Sequence, residues 1–525
     1  MATTTERLEG TGSGAPEQTA SKGPPEHVRI AIVGAGFSGL GMAIRLKQEG
    51  IEDFVVLERA EDIGGTWQAN TYPGCQCDVP SHLYSFSFAP NPGWTRTFSK
   101  QQEIWDYLRR VADEHGLGGY VRTGHEVLSA EWEEEVGLWR LETSQGPFSA
   151  QFLVGGMGGL SEPKLPDIPG IDSFEGAAFH SARWDHDHDI AGKRVGVVGT
   201  GASTVQIVPS IQPKVERLHV FQRTPTWVMP HNDRPISRLE RRLYRRFPGA
   251  QRAMRSAIYW GRESFVLWFR HPKLARRVPE RIARRHLTTQ VSDPELRRRL
   301  TPTFRFGCKR VLPSNAYYPA LTQPNVELVT DGIEEVTPKG VRTSDGSERE
   351  LDTLVFATGF HVTDMPATRM VRGRDGLLLD DVWQGSPQAY MGTTVAGFPN
   401  FFLLLGPNTG LGHTSVVFMI ECQLAYIIDC LRAVQRRGLT TIEPRPDAQA
   451  RFVAEIARHE QGTVWTDGGC VSWYLDRTGR NATLWPGSTV TFKRRTRRFD
   501  LENYATTPAP SASPSRVGEQ AQAAA

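Results

Sequence analysis

Two passages of strand, glycine-rich loop, helix and strand open at His27 and at Lys193, and a basic stretch with helical spacing follows the second. Together they predict an α/β protein of two Rossmann-like dinucleotide-binding domains with a helical insertion. A chain of 525 residues has room for two or three packed units. Its 39% hydrophobic and 23% charged residues exclude a fibrous or wholly disordered protein. Lys and Arg number 61 against 58 Asp and Glu, and a net charge of +3 argues against a dedicated nucleic-acid binder. No apolar run approaches the roughly 20 residues that cross a bilayer.

Residues 1–26 are rich in Thr, Gly, Ser, Pro and Glu, and a disordered tail is expected there. They lack the basic start and apolar core of a secretory signal, so a cytoplasmic location is expected. His27–Val33 then reads as a short strand, and Gly34-Ala35-Gly36-Phe37-Ser38-Gly39 follows at once. A helix pattern runs to about Gly50, and a second strand, Phe54–Leu57, ends on Glu58. The three glycines suit the tight turn, close approach to a pyrophosphate, and helix-on-strand packing. Glu58, 19 residues past Gly39, is placed to accept hydrogen bonds from ribose hydroxyls. The first domain is expected over 27–161.

The second unit's glycine loop lies 165 residues past the first, with Lys193–Val198 as strand and Gly199-Thr200-Gly201-Ala202-Ser203-Thr204 as loop. Thr204 stands where a third glycine is usual. Strand Arg217–Phe221 ends in Gln222-Arg223-Thr224, not in an acid. An acid there would repel a ribose 2′-phosphate, whereas an arginine pairs with one. The first site therefore favours a 2′-hydroxyl and the second a 2′-phosphate, which implies two nucleotides, one of them NADPH. This domain is expected over 162–235 and 306–385.

The insertion is expected over 236–305. From Ser237 to Arg310 there are 21 Lys or Arg and 5 Asp or Glu, with Tyr259, Trp260 and Trp268 embedded. The leading reading is solvated basic helix faces around an aromatic core. Peripheral contact with an anionic membrane is less favoured, and nucleic-acid binding lacks a recognition motif. Val326–Val329 and Leu354–Phe356 frame a small hairpin region, and Ala357-Thr358-Gly359-Phe360 makes a tight turn beside a nucleotide. Phe401–Leu405 is a buried strand and a helix runs from about Ser415 to Arg436, within a second part of the first domain over 386–505. A tail over 506–525 ends the chain. The CxC pair Cys75 and Cys77 has no second ligand pair, so no metal is expected. All six cysteines read as buried, reduced thiols.

Between the loops, Phe174, Gly176, His180 and Trp184 fit FxGxxxHxxxW, followed by Asp185. Gly64-Gly65-Thr66-Trp67, Tyr72-Pro73-Gly74 and Asp78 form a second signature. On these residues the chain resembles the type I Baeyer–Villiger monooxygenases, a class B flavin-dependent family, from about Val28 to Asn503. The resemblance implies an FAD- and NADPH-dependent enzyme that inserts one oxygen atom of O2 beside a ketone carbonyl. An ester or lactone results, by way of a C4a-peroxyflavin. It implies FAD contacts at Gly34, Gly36, Gly39 and Glu58, and flavin-side residues at Trp67, Asp78 and Tyr84. NADP contacts are implied at Gly199, Gly201, Ser203, Arg223, Thr224 and Lys309.

Arg310 would be the catalytic arginine, held by Asp78, because a permanent guanidinium stabilises an anionic peroxide and the adduct oxyanion after it. Trp473 would stand at the substrate pocket. Phe174, Gly176, His180 and Trp184 would couple domain movements. An N- or S-oxygenating flavin monooxygenase is the nearest rival, and Trp184 and Arg310 argue against it. A disulfide reductase would need a CxxC pair where this chain has CxC.

Overall fold

A computed structural model describes residues 24–266 and 277–509. Most of both expected tails, and Trp268, lie outside the described residues.

The chain opens with β1 (Glu26–Val33), α1 (Phe37–Gln48) and β2 (Phe54–Leu57). Every residue of β2 and most of the end of β1 are buried, as suits parallel strands covered on both faces. Short α2 (Thr66–Ala69) and α3 (Gln101–Glu114) lead to β3 (Val121–Arg122). The meander β4 (Val127–Glu133), β5 (Leu138–Thr143) and β6 (Phe148–Gly155) completes the run. These strands form an eight-stranded sheet in which β1 lies parallel between β2 and β6. Phe401–Leu403 joins it on the upper half of β6, where β5 has left off.

The second sheet holds β7 (Ala177–His180), β8 (Arg194–Val198) and β9 (Arg217–Phe221). Val326–Val329 and Thr353–Phe356 complete its five parallel strands. Helix α4 (Ala202–Ile211) follows β8. Val326–Val329 and Thr353–Phe356 do frame a hairpin region, a three-stranded antiparallel sheet over Ile333–Glu350. The chain re-enters the first sheet at Val371–Arg372, which pairs with β4, ahead of the boundary at 386 read from the sequence.

Three expectations need correction. Cys308 and Cys470 are joined in a disulfide, so not all six cysteines are thiols; Cys75, Cys77, Cys422 and Cys430 are buried and free. Tyr504–Pro508 is a strand, paired antiparallel with Leu439–Pro444, so ordered chain runs past Thr506. The insertion opens with α5 (Arg238–Arg246), capped by a Ser237–Glu240 capping box, and α6 (Pro248–Glu263). It does not simply bury its aromatics behind solvated basic faces. Trp260 is exposed, while Arg255 is half-buried against main-chain carbonyls of 82–85. No helix among the described residues is long and apolar enough to cross a membrane.

Candidate active site

The first glycine loop is shaped by steric need at both ends. Gly34 has φ +96°, and a Cβ on Gly39 would lie 1.8 Å from the Gly34 carbonyl oxygen. Gly36 is the N-cap of α1 with no side chain capping it, which leaves the first amide donors of the helix open to an anion. Glu58 is buried, and its carboxylate accepts from Ala35 N at 2.6 Å and Ala60 N at 3.0 Å. Those bonds tie the end of β2 to the loop. The Gly64–Trp67 turn docks beside it, with Gly64 N donating to the Ala35 carbonyl at 2.9 Å. Trp67 Nε1 donates to the Tyr84 hydroxyl at 3.1 Å, and the Tyr84 ring stands edge-on to Phe37 at 5.1 Å.

The second loop is built alike but stands further off. Gly199 has φ +124°, and a Cβ there would meet the Ala357 carbonyl oxygen at 2.4 Å. Gly201 caps α4 with no side-chain bond, and nothing lies within 4 Å of where its Cβ would be. Thr204 is fully buried with an unpartnered hydroxyl, so the helix accommodates a side chain where α1 requires Gly39. Thr224 accepts from Thr200 Oγ1 at 2.7 Å, and half-buried Ser203 stands beside the Tyr72 hydroxyl. Arg223 is exposed and Lys309 half-buried. Burial, then the charge of Arg223, lowers the Lys309 ammonium below its usual range. Two neighbouring cations without an acid between them suit a phosphate.

The Tyr72–Asp78 segment bridges the two units. The Tyr72 hydroxyl donates to Gln206 Oε1 at 3.0 Å, and Gln206 Nε2 returns a bond to the Gln76 carbonyl at 2.8 Å. Gly74, at φ +85°, passes so close to α4 that a Cβ would lie 2.6 Å from the Gln206 carbonyl oxygen. Asp78 thereby stands at the junction and meets Arg310 from the far side. Nε and Nη2 of Arg310 each donate to an Asp78 oxygen at 2.6 Å, a bidentate fork. Nη1 makes only a 3.5 Å approach to the Leu411 carbonyl. Burial opposes the charge on Asp78, yet Arg310, helped by Arg262, holds its carboxyl below the ordinary value. Asp78 in turn raises the Arg310 guanidinium above its own.

The disulfide ties the Arg310 segment to 470–474. Arg305 N also donates to the Gly468 carbonyl at 2.9 Å. That brings buried Tyr474 onto Arg310; burial pushes its hydroxyl up to about 12, against the pull of the guanidinium. Trp473 is 43% exposed with its ring 4.5 Å from that of Tyr474. The FxGxxxHxxxW residues sit elsewhere: His180 ends edge strand β7, Phe174 and Gly176 lead into it, and Trp184 follows it. A Cβ on Gly176 would meet the Asp352 carbonyl and the Phe174 ring, both at 2.6 Å, and Trp184 stands edge-on to Phe179 at 5.1 Å. His180 Nδ1 accepts from Ala182 N at 3.1 Å, and burial lowers its pKa to about 4, so the ring is neutral. None of the four touches the Arg310–Asp78 pair.

Sequence reasoning missed Gln206 and Arg262. Gln206 carries no motif signal. Arg262 is one of many arginines in the insertion, and only its place on the helix face singles it out. Burial pushes the Cys75 thiol up to about 12 and raises Cys77 as well, so this CxC pair is not poised for redox exchange. Among the described residues no three His, Cys, Asp or Glu side chains gather as a metal site.

Comparison with known proteins places this geometry in a family. Residues 31–259 match the family described as pyridine nucleotide-disulphide oxidoreductase. The chain is 54% identical to a Baeyer-Villiger monooxygenase of Streptomyces coelicolor, over 91% of this chain and 92% of that one. A solved cyclohexanone monooxygenase from Rhodococcus sp. Phi1, bound to NADP+, shares 32% identity at a TM-score of 0.83, covering 93% of this chain and 100% of the other. OTEMO, solved in complex with FAD and NADP, shares 28% identity at a TM-score of 0.82, over 91% of this chain and 99% of that one. The chain belongs to the Baeyer–Villiger monooxygenase family, and the expected family and two-domain α/β class are borne out.

Proposed function

We propose that this chain is an FAD- and NADPH-dependent Baeyer–Villiger monooxygenase that inserts one oxygen atom of O2 beside a ketone carbonyl, giving an ester or lactone. The observation that carries the reading is the Arg310–Asp78 fork at the junction of the two nucleotide domains. FAD is assigned to the loop of Gly34, Gly36 and Gly39 with Glu58, and NADPH to Gly199, Gly201, Ser203, Thr224, Arg223 and Lys309. The uncapped amide donors at Gly36 and Gly201 support both assignments. These residues would hold a flavin that, once reduced by NADPH, would supply the activated oxygen.

The protein's own contribution is positional and electrostatic. Asp78 uses both oxygens to fix the guanidinium plane, so Nη1 is aimed by a rigid fork before substrate arrives. Negative charge then develops on the attacking oxygen and on the former carbonyl oxygen. A preorganised guanidinium stabilises it without reorganising. Trp67 and Tyr84 line the flavin side, and Trp473 with Tyr474 closes the pocket over Arg310. Phe174, Gly176, His180 and Trp184 act as structural coupling between the domains, which the neutrality and remoteness of His180 support. An N- or S-oxygenating enzyme would have no use for a fixed guanidinium, since its electrophilic oxygen carries no anionic charge. A cytoplasmic setting fits the use of NADPH.

The test is a panel of cyclic, aryl and linear ketones assayed for stimulated NADPH consumption, with products identified by mass. Thioether oxidation with no ketone turnover anywhere in the panel would remove the reading.

A further inference from the structure

One face of α6 follows the segment that carries Asp78. Gln251 Nε2 donates to the Asn91 carbonyl at 2.7 Å. Four residues on, Arg255 Nη1 donates to the carbonyls of His82 at 2.7 Å and Ser85 at 3.0 Å. Positions 251, 255 and 262 share a face at helical spacing, so the next polar residue on that line is Arg262. The contacts descend the opposite segment from Asn91 through His82 as α6 advances, and the last turn arrives towards Asp78. That turn is pinned: Glu263 accepts from Thr489 N and Thr489 Oγ1, both at 2.7 Å. Tyr259 shares a 2.8 Å hydrogen bond with the same threonine.

Arg262 is half-buried, yet its side chain makes no hydrogen bond and no ion pair with any described residue. It stands close enough to matter. Burial lowers its basicity, Asp78 opposes that, and Arg310 adds repulsion; His231 also feels its charge. The charge count at the junction is then informative. Asp78 spends both oxygens on Arg310, so that pair is neutral as a whole. A neutral pair stabilises a developing anion less than a net cation does.

We propose that Arg262 is a positioning residue of this active site, a second guanidinium delivered by the insertion that gives the Arg310–Asp78 group a net positive charge. It compensates Asp78, so the charge of Arg310 is not fully consumed by its partner. The proposal rests on the monooxygenase reading and makes a distinction within it. Arg310 acts through a planar fork, which lysine cannot reproduce. Arg262 has no fork to satisfy, so lysine there should serve.

The experiment uses the full-length, FAD-loaded chain as wild type, Arg262→Met and Arg262→Lys, with Arg262→Gln should the methionine variant fail to fold. Two quantities are read: the midpoint potential of bound flavin without ketone, and the ratio of ester to hydrogen peroxide during ketone turnover. Removing the charge should make the potential more negative, because reduced flavin is anionic. It should also lower the ester-to-peroxide ratio about tenfold, the size expected of one partly screened charge. Arg262→Lys should match wild type on both. A wild-type potential in the neutral variant, or a lysine variant as impaired as the neutral one, overturns the proposal. If wild type forms no ester from any ketone, the monooxygenase reading falls instead, and the three potentials still decide the role of the charge.

Discussion

Replacing Arg310 probes two quantities that the structure separates, the anchoring of Asp78 and the charge offered to the reaction. Arg310→Ala removes both 2.6 Å bonds and Nη1, which makes only a 3.5 Å contact with the Leu411 carbonyl. Loss of a preorganised charge partner from a transition state commonly costs roughly 10²–10³ in rate, about 2.7–4 kcal/mol. Ester formation should fall by that factor while FAD remains bound, because the Arg310 side chain hydrogen-bonds Asp78 and the Leu411 carbonyl and not the Gly34–Gly39 loop proposed to hold FAD. Arg310→Lys should recover only part of the loss, since one ammonium cannot meet both oxygens and still present a donor to the pocket.

Stability gives an independent readout. Breaking a buried ion pair from one side costs about 3–5 kcal/mol. Here the side chains are 30% and 20% exposed, so solvent screening should bring the cost nearer about 2 kcal/mol. Its pH dependence has a definite sign. The folded pKa of Asp78 lies below the ordinary value, so the contribution of the pair is present above the unfolded pKa, about 4, and is lost as pH falls through the folded one. The melting gap between wild type and Arg310→Ala should be widest near pH 7 and close towards pH 3. Product analysis of the ester and thermal unfolding across that range check both statements. Near wild-type ester formation by Arg310→Ala would refute the catalytic assignment, and a gap that widens in acid would refute the ion-pair argument.

Arg223→Ala and Lys309→Ala should each raise the Michaelis constant for NADPH about 10- to 100-fold, corresponding to roughly 1.5–3 kcal/mol per charge-assisted contact, and leave NADH nearly unchanged. Equal effects on both cofactors would make these cations structural. Gly36→Val should purify without flavin though folded, because its Cβ makes only ordinary contacts, with Gly65 at 3.5 Å and the Gly64 carbonyl oxygen at 4.0 Å; a yellow variant would mean that the loop does not hold the pyrophosphate. Gly39→Ala should fail to fold, with its Cβ 1.8 Å from a carbonyl oxygen, and a melting point like wild type would contradict that clash. Cys470→Ser should lower the melting point. The disulfide closes a separation of 162 residues, a constraint worth up to about 5 kcal/mol, and an unchanged melting point would deny it that role.

What was legible in the sequence is what is local. Strand, glycine loop and helix lie within some twenty residues at each nucleotide site, so β1, α1, β8 and α4 could be read directly. Val416–Arg437 was likewise readable from helical periodicity, and it ends on Gly438 in the left-handed region that favours glycine. The two-residue strand Val371–Arg372 is too short to show a period, so the early return to the first sheet was not visible. Thr506-Thr507-Pro508 resembles low-complexity tail, and it is ordered by backbone pairing to Leu439–Pro444, which side-chain pattern does not report. The disulfide depends on two cysteines whose approach only the fold reveals. Arg310 was distinguishable from its neighbours by family resemblance alone, because its partner lies 232 positions away.

That separation has a mechanistic meaning. Asp78 belongs to a loop bound on one side to Gln206 of α4, the helix proposed to receive the second nucleotide, through bonds at 3.0 and 2.8 Å. Arg310 follows Lys309, whose ammonium feels the charge of Arg223 and is proposed with it to hold the same nucleotide's phosphate. Through the disulfide it also follows the segment of Trp473 and Tyr474. The guanidinium is therefore positioned by the nucleotide domain, its acid by a loop spanning both domains, and its cover by a covalently tethered segment. A displacement of the second domain cannot leave all three in register.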